Sequence, residues 1–189
     1  MNRRLIGVTG APGSGKSTYA AAELQRRKAS GIRAAVLAMD GFHLPQAELT
    51  RLSRRDRMGA SDTFDVDSFV ATLQVLRAHQ PVSAPGFNRD TEEPVPGAIT
   101  IGSDIQLVIV EGNYLLLDHG GWEQVRPLLD EVVFLTLDDS VRRARLIARH
   151  IAFGKTPAAA EAWVKRVDEP NARLIAATAS RADRILASP

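Results

Sequence analysis

Apolar residues in this chain fall into short runs separated by amphipathic stretches. Runs at residues 5–8, 34–39, 105–110 and 132–137, with a weaker one at 184–187, are rich in β-branched side chains and read as strands. The third and fourth are apolar almost throughout, as expected of strands covered on both faces. Between them the period changes to that of a helix. Residues 17–29 are rich in alanine and long side chains and close at Gly31. In 66–76, Val66, Phe69, Val70, Leu73 and Leu76 share one face, and Asp65 is placed to cap the N-terminus. Residues 139–153 read as a helix ending at Gly154, and Thr156-Pro157 starts another.

Strands that alternate with helices predict a parallel sheet with right-handed crossovers, hence a three-layer α/β/α fold. The expectation is a single domain over residues 1–189. One region breaks the alternation. Residues 81–97, "PVSAPGFNRDTEEPVPG", hold four of the ten prolines and predict a functional loop or a small β excursion.

Charge and composition narrow the classes. Formal net charge is +2 and no basic run exceeds three residues, which argues against a nucleic-acid partner. The absence of cysteine removes disulfides, thiolate nucleophiles and cysteine metal sites, and fits a reducing compartment. No run approaches the ~20 apolar residues of a membrane span, and the N-terminal apolar stretch is too short for a signal peptide. A cytoplasmic protein is expected. The sequence leaves the oligomeric state open, a homodimer included.

Chemistry enters at "GAPGSGKST", where Gly10 to Ser17 match G-x-x-x-x-G-K-[ST] after one apolar run and before a helical one. Glycines let successive backbone N–H groups converge on an anion, and the following helix turns its positive end toward it. Gly10, Ala11, Pro12, Gly13, Ser14, Gly15, Lys16, Ser17 and Thr18 are therefore expected to bind a nucleoside triphosphate. Lys16 would face the β- and γ-phosphates and Ser17 a Mg²⁺ ion. No Asn-Lys-x-Asp tetrapeptide reads a guanine, and "DHGG" at 118–121 does not directly follow an apolar strand.

Acids close two of the apolar runs: Asp40 in "VLAMDGFH" and Glu111 in "LVIVEGNY". Strand ends are where open α/β sheets bind ligands, so either acid could contact Mg²⁺ or take a proton from an attacking hydroxyl. Each could also simply cap a helix or turn a loop, and Asp40-Gly41 is a good turn dipeptide.

With these, "GAPGSGKST", "MDGFH" and "VIVEGNYLLL" resemble the uridine kinase, phosphoribulokinase and bacterial pantothenate kinase group of P-loop kinases. "DTFDVDSF", "FNRDTEEPV", "RLIARHIAFGK" and "DEPNARLI" are similar to its uridine-kinase-like fructose transport system kinases. The resemblance covers nearly the whole chain. It implies a five-stranded parallel sheet in the order 2-3-1-4-5 and transfer of the ATP γ-phosphoryl group to a small-molecule hydroxyl. It implies Asp40 as catalytic base and Glu111 as an acid near Mg²⁺, with Asp40 a second candidate metal contact. It places His43, Asp62, Phe64, Arg89 and Tyr114 around the acceptor, beside the excursion at 81–97.

In "DDSVRRARLIARHIAFGK", Arg142, Arg145 and Arg149 line one helix face, and Val141, Ala144, Ile147, Ala148 and Ile151 make the apolar side. Such a stripe is either a solvated basic face or a lid over the phosphates. The resemblance places a lid at about 139–156 and leaves open which of its arginines reaches the phosphates; Arg142 is expected to bind the nucleotide and Arg145 and Arg149 to serve catalysis. Arg173 is a weaker candidate for adenine or acceptor contact. The expected function is an ATP- and Mg²⁺-dependent kinase of a sugar such as fructose. The alternatives are a uridine, nucleoside or pantothenate acceptor, and a regulatory ATP-binding protein or NTPase with no small-molecule acceptor.

Overall fold

A computed structural model describes residues 3–188. From the N-terminus the elements are β1 (Arg4–Gly10), α1 (Lys16–Ala29), β2 (Ala34–Ala38), α2 (Gln46–Arg51), α3 (Val66–Arg77), β3 (Val82–Asn88) and β4 (Glu93–Ile101). Then come β5 (Leu107–Glu111), β6 (Glu131–Thr136), α4 (Asp139–Ala152), α5 (Pro157–Trp163), α6 (Glu169–Ala176) and β7 (Arg184–Ala187). The chain between α5 and α6 is π-helical over Val164–Asp168.

Five strands pair in parallel in the order β2-β5-β1-β6-β7. Since β3 and β4 form a separate two-stranded sheet, the five parallel strands run 2-3-1-4-5 when counted alone. Alternation along β1 and β5 divides the core into two layers. Leu5, Val108 and Val110 face a large cluster with Phe69, Tyr114 and Trp122, while Ile6, Val8, Leu107 and Ile109 face a smaller one under α1. Asp65 caps α3, accepting from Ser68 N at 3.0 Å, and α3 buries Phe69, Val70, Leu73 and Leu76. A cap of this kind stabilises by about 1 kcal/mol. No helix among the described residues is long and apolar enough to cross a membrane.

The excursion is an antiparallel hairpin that runs on to Ile101, beyond the expected 97. Pro85 sits at a register shift, and Pro94 and Pro96 lie on a two-stranded sheet in which a missing donor does no harm. Its seat is the turn after β2. A Cβ on Gly41 would stand 2.1 Å from the Pro85 carbonyl oxygen, so only glycine lets the hairpin lie this close.

Helix α4 reverses the sequence expectation. It buries Arg142 and Leu146, while Val141 and Ile151 are 41% and 39% exposed and Ala144 and Ala148 also face outward. The helix packs against a polar loop, so its inner face is the one that can satisfy carbonyls and carboxylates.

Arg3 is buried by the same logic. It is 2% exposed and donates to the carbonyls of Leu76, Gln80, Gly102 and Ile105, tying β1 to the ends of α3 and β4.

Candidate active site

Parallel register brings three strand ends together. Val8 and Ala38 both pair with Glu111, so the loop after β1, the turn after β2 and the end of β5 open onto one cavity of about 630 Å³. That volume suits a small-molecule site.

On one side lies the loop from Gly10 to Thr18. Gly13 and Gly15 adopt φ of +81° and +86°, which side chains disfavour. Lys16 is 7% exposed, and its Nζ donates to Gly10 O at 2.9 Å and Ala11 O at 3.0 Å. Two of its three ammonium protons are thereby fixed on its own loop, and the third remains for a ligand. Burial lowers its pKa to about 8, against the opposing pull of Glu111 and Asp40. Ser17 Oγ donates to Glu111 Oε1 at 2.8 Å, and burial raises the Glu111 pKa against the nearby Lys16 charge. Ser14, 1% exposed, has no hydrogen-bond partner for its Oγ among the described residues. An orphaned hydroxyl, a desolvated ammonium and a glycine cradle at a helix N-terminus fit a polyphosphate. Among the described residues no three His, Cys, Asp or Glu side chains gather to cage a metal. Ser17 and Glu111 thus suit an ion that keeps water and phosphate in its shell, as Mg²⁺ does.

Across the cavity, Asp40 Oδ2 accepts from Arg89 Nη2 at 2.9 Å, a pair 49 residues apart in sequence. His43 Nδ1 lies 2.7 Å from the Asp40 carbonyl oxygen. A carbonyl only accepts, so Nδ1 carries the proton and Nε2 keeps a lone pair. Burial lowers the His43 pKa and keeps the ring neutral. Its ring lies against Phe64 and Phe87, tilted to both, with centroids 4.0 Å and 4.7 Å away.

Several expected site residues take other positions. Tyr114 is 1% exposed and lies behind the wall, its hydroxyl donating to Gly59 O at 2.6 Å while burial raises its pKa. Asp62 pairs with Arg57 at 2.8 Å and Arg54 at 3.3 Å, outside the cavity, and the Arg57 bond lowers its pKa. Arg142 is buried behind the phosphate loop, bonded to Glu169, Asp139 and the Pro12 carbonyl. Arg173 is exposed and does not line the cavity. Arg145 and Arg149 do line it.

Other lining residues went unassigned in the sequence. Asp168 pairs with His150 Nε2 at 2.9 Å, and Trp163 carries Lys155 4.7 Å from its ring centroid. Asp168 lies in the "DEPNARLI" segment and could have been found there. His150 likewise lies in the "RLIARHIAFGK" segment, whereas Trp163, outside every quoted segment, gave no signal.

The Phosphoribulokinase / Uridine kinase family matches residues 5–188. The crystal structure of the "putative fructose transport system kinase" from Silicibacter sp. TM1040 superposes with a TM-score of 0.92 and 35% identity, covering 98% of this chain and 90% of that one. The uridine kinase of Lactiplantibacillus plantarum is 32% identical over 148 residues, 78% of this chain and 68% of its own. The uncharacterized protein YggC of Escherichia coli is 33% identical over 189 residues, 98% of this chain and 78% of its own.

Proposed function

We propose, on the premise that the chain belongs to the phosphoribulokinase/uridine kinase family and is a phosphotransferase acting on a hydroxyl group, that it moves the γ-phosphoryl group of ATP onto a hydroxyl of a sugar-like polyol. The observation that carries this reading is that Asp40 opens onto the same cavity as Lys16 and the Ser17–Glu111 pair. A proton acceptor and a phosphate cradle share one enclosure.

In this reading the backbone of residues 10–17 and the free proton of Lys16 bind the phosphates, helped by the N-terminal end of α1. Ser17 and Glu111 would hold Mg²⁺, directly or through water. When bound, the ion supplies charge neutralisation on the phosphate oxygens. Asp40 receives the proton of the acceptor hydroxyl as that oxygen attacks. Arg145 and Arg149, which line the same cavity, would neutralise the negative charge that spreads during transfer. Arg142 acts at one remove, since its bond to the Pro12 carbonyl positions the loop.

Two features favour a polyol over a nucleoside. His43, Phe64 and Phe87 pack against one another, which reduces the stacking surface they offer a base on that side. Polar groups, namely Asp40, Arg89, Glu92 and Asp168, make up much of the rest of that side.

The test is ADP release from ATP and Mg²⁺, with and without sugars, sugar acids, nucleosides and pantothenate. A kinase releases ADP faster with one acceptor and yields its phosphate ester. Identical rates under every condition would support an NTPase instead.

A further inference from the structure

Lys16, Ser14 and Arg142 divide the first carbonyls of the phosphate loop among them. Gly10 O and Ala11 O accept from Lys16 Nζ, and Ala11 O also accepts from Ser14 N at 3.1 Å. The Pro12 carbonyl is left to Arg142 Nη1, 3.5 Å away. In a planar trans peptide the C=O and the following N–H point to opposite sides. A Pro12 carbonyl held from behind therefore aims the Gly13 N–H forward, toward the cavity that both residues line. Glycine by itself does little to keep that peptide from turning over, because positive and negative φ are both open to it. The hold has to come from outside the loop.

Arg142 can supply it only if it is held in turn. Two acids reach its buried guanidinium, and they are not equivalent. Asp139 accepts from Arg142 Nε at 3.1 Å, but its side chain is 67% exposed and water screens the pair. The Glu169 side chain is 15% exposed. Its Oε1 takes Arg142 Nη2 and its Oε2 takes Arg143 Nε at 3.1 Å, so both oxygens are committed to α4. Packing runs the same way. A Cβ on Gly13 would stand 2.9 Å from Leu146 Cγ and 3.0 Å from the Arg142 carbonyl oxygen, so α4 lies directly against the loop. From the start of α6, Glu169 braces α4, and α4 braces the loop.

We propose that Glu169 is a positioning residue for the nucleotide site: through Arg142 it keeps the Pro12–Gly13 peptide turned so that its N–H faces the phosphates. This rests on the kinase reading above and adds to it a residue that does not line the cavity. With the ion pair broken, Arg142 swings toward Asp139 and water, the Pro12 carbonyl loses its donor, and the Gly13 peptide is free to flip. The loss falls on phosphate binding, where that N–H is used.

Glu169→Gln and Arg142→Gln, singly and together, test this by calorimetric titration with ATP and with inorganic tripolyphosphate, both in Mg²⁺. Each single variant should weaken both compounds by about tenfold, as when a charged hydrogen-bond partner is lost. The double variant should lose no more than either single one, because both cuts fall on one relay. Asp139→Asn should cost about threefold at most. Bound ATP should slow hydrogen exchange at the Gly13 amide in the wild type and fail to do so in Glu169→Gln. Glu169→Asp keeps the charge one methylene short and should fall between wild type and Glu169→Gln. It also carries the test if the glutamine variant does not fold, and wild-type affinity in it would then overturn the proposal. Unchanged ATP affinity in Glu169→Gln, losses that multiply in the double variant, or equal protection of Gly13 would overturn the relay and leave the kinase standing. A wild type that binds neither ATP nor tripolyphosphate would overturn both.

Discussion

Between Pro12 and Thr18, one continuous loop supplies most of the side of the cavity proposed to bind phosphate, largely through backbone, with Glu111, Arg145 and Arg149 beside it. The opposite half draws His43, Phe64, Phe87, Arg89 and Asp168 from segments scattered along the chain, and it works through side chains. The first half is fixed by local conformation and tolerates little change in its cradle. The second depends on how a hairpin, a turn and a helix pack, so its chemistry can alter without touching the loop. Binding of nucleotide and handling of the acceptor should therefore be separable by mutation.

The largest expected separation comes from Asp40→Asn. Acceptor-dependent turnover should fall by about 10²–10⁴, the usual contribution of a general base, while ATP affinity by titration calorimetry stays put. Loss of ATP binding in that variant would mean the halves are one unit. Next in size is Gly41→Ala. A methyl group pressed against the Pro85 carbonyl should cost about 1–3 kcal/mol. It should lower the melting temperature by several degrees and raise KM for the acceptor without raising that for ATP.

A pH titration sharpens the other side. Lys16 is charged below about pH 8 and loses its proton above it, and a bound polyphosphate favours the charged form. ATP binding should therefore take up a proton above pH 8. Its dissociation constant should rise by up to about tenfold per pH unit there and stay flat below. The smallest effect is expected of Tyr114→Phe, which removes one buried hydrogen bond to Gly59 and should cost about 1 kcal/mol with nucleotide affinity intact.

The same divide governs what could be read from the sequence. The loop was legible because its residues are consecutive and its glycines have no other use. Asp40 and Glu111 were legible because a parallel sheet must deliver strand ends to one edge. The fold and strand order followed from apolar runs and from the family resemblance. The acceptor half was read less well. Tyr114 and Asp62 belong to the right segments, but one points into the core and the other to arginines on its own turn. For α4, the expectation that apolar residues face inward failed. Here the inner neighbours are the Pro12 carbonyl and Glu169, and a guanidinium satisfies them where an aliphatic chain could not. Arg142 therefore supports the loop from behind instead of meeting the ligand. Trp163 was missed because it carries no pattern, only a position in space, and His150 because its segment was read for its arginines.

The way the hairpin sits on the turn after β2 bears on how such an enzyme can change its diet. Pro85 meets Gly41 main chain to main chain, so the joint places no demand on the letters at the hairpin's tip. A lineage can rewrite the stretch around residues 87–93, and with it the compound it consumes, without disturbing the apparatus that grips the nucleotide. A transplant of that tip between relatives is accordingly the shortest engineering route to a new specificity, provided position 41 is left bare.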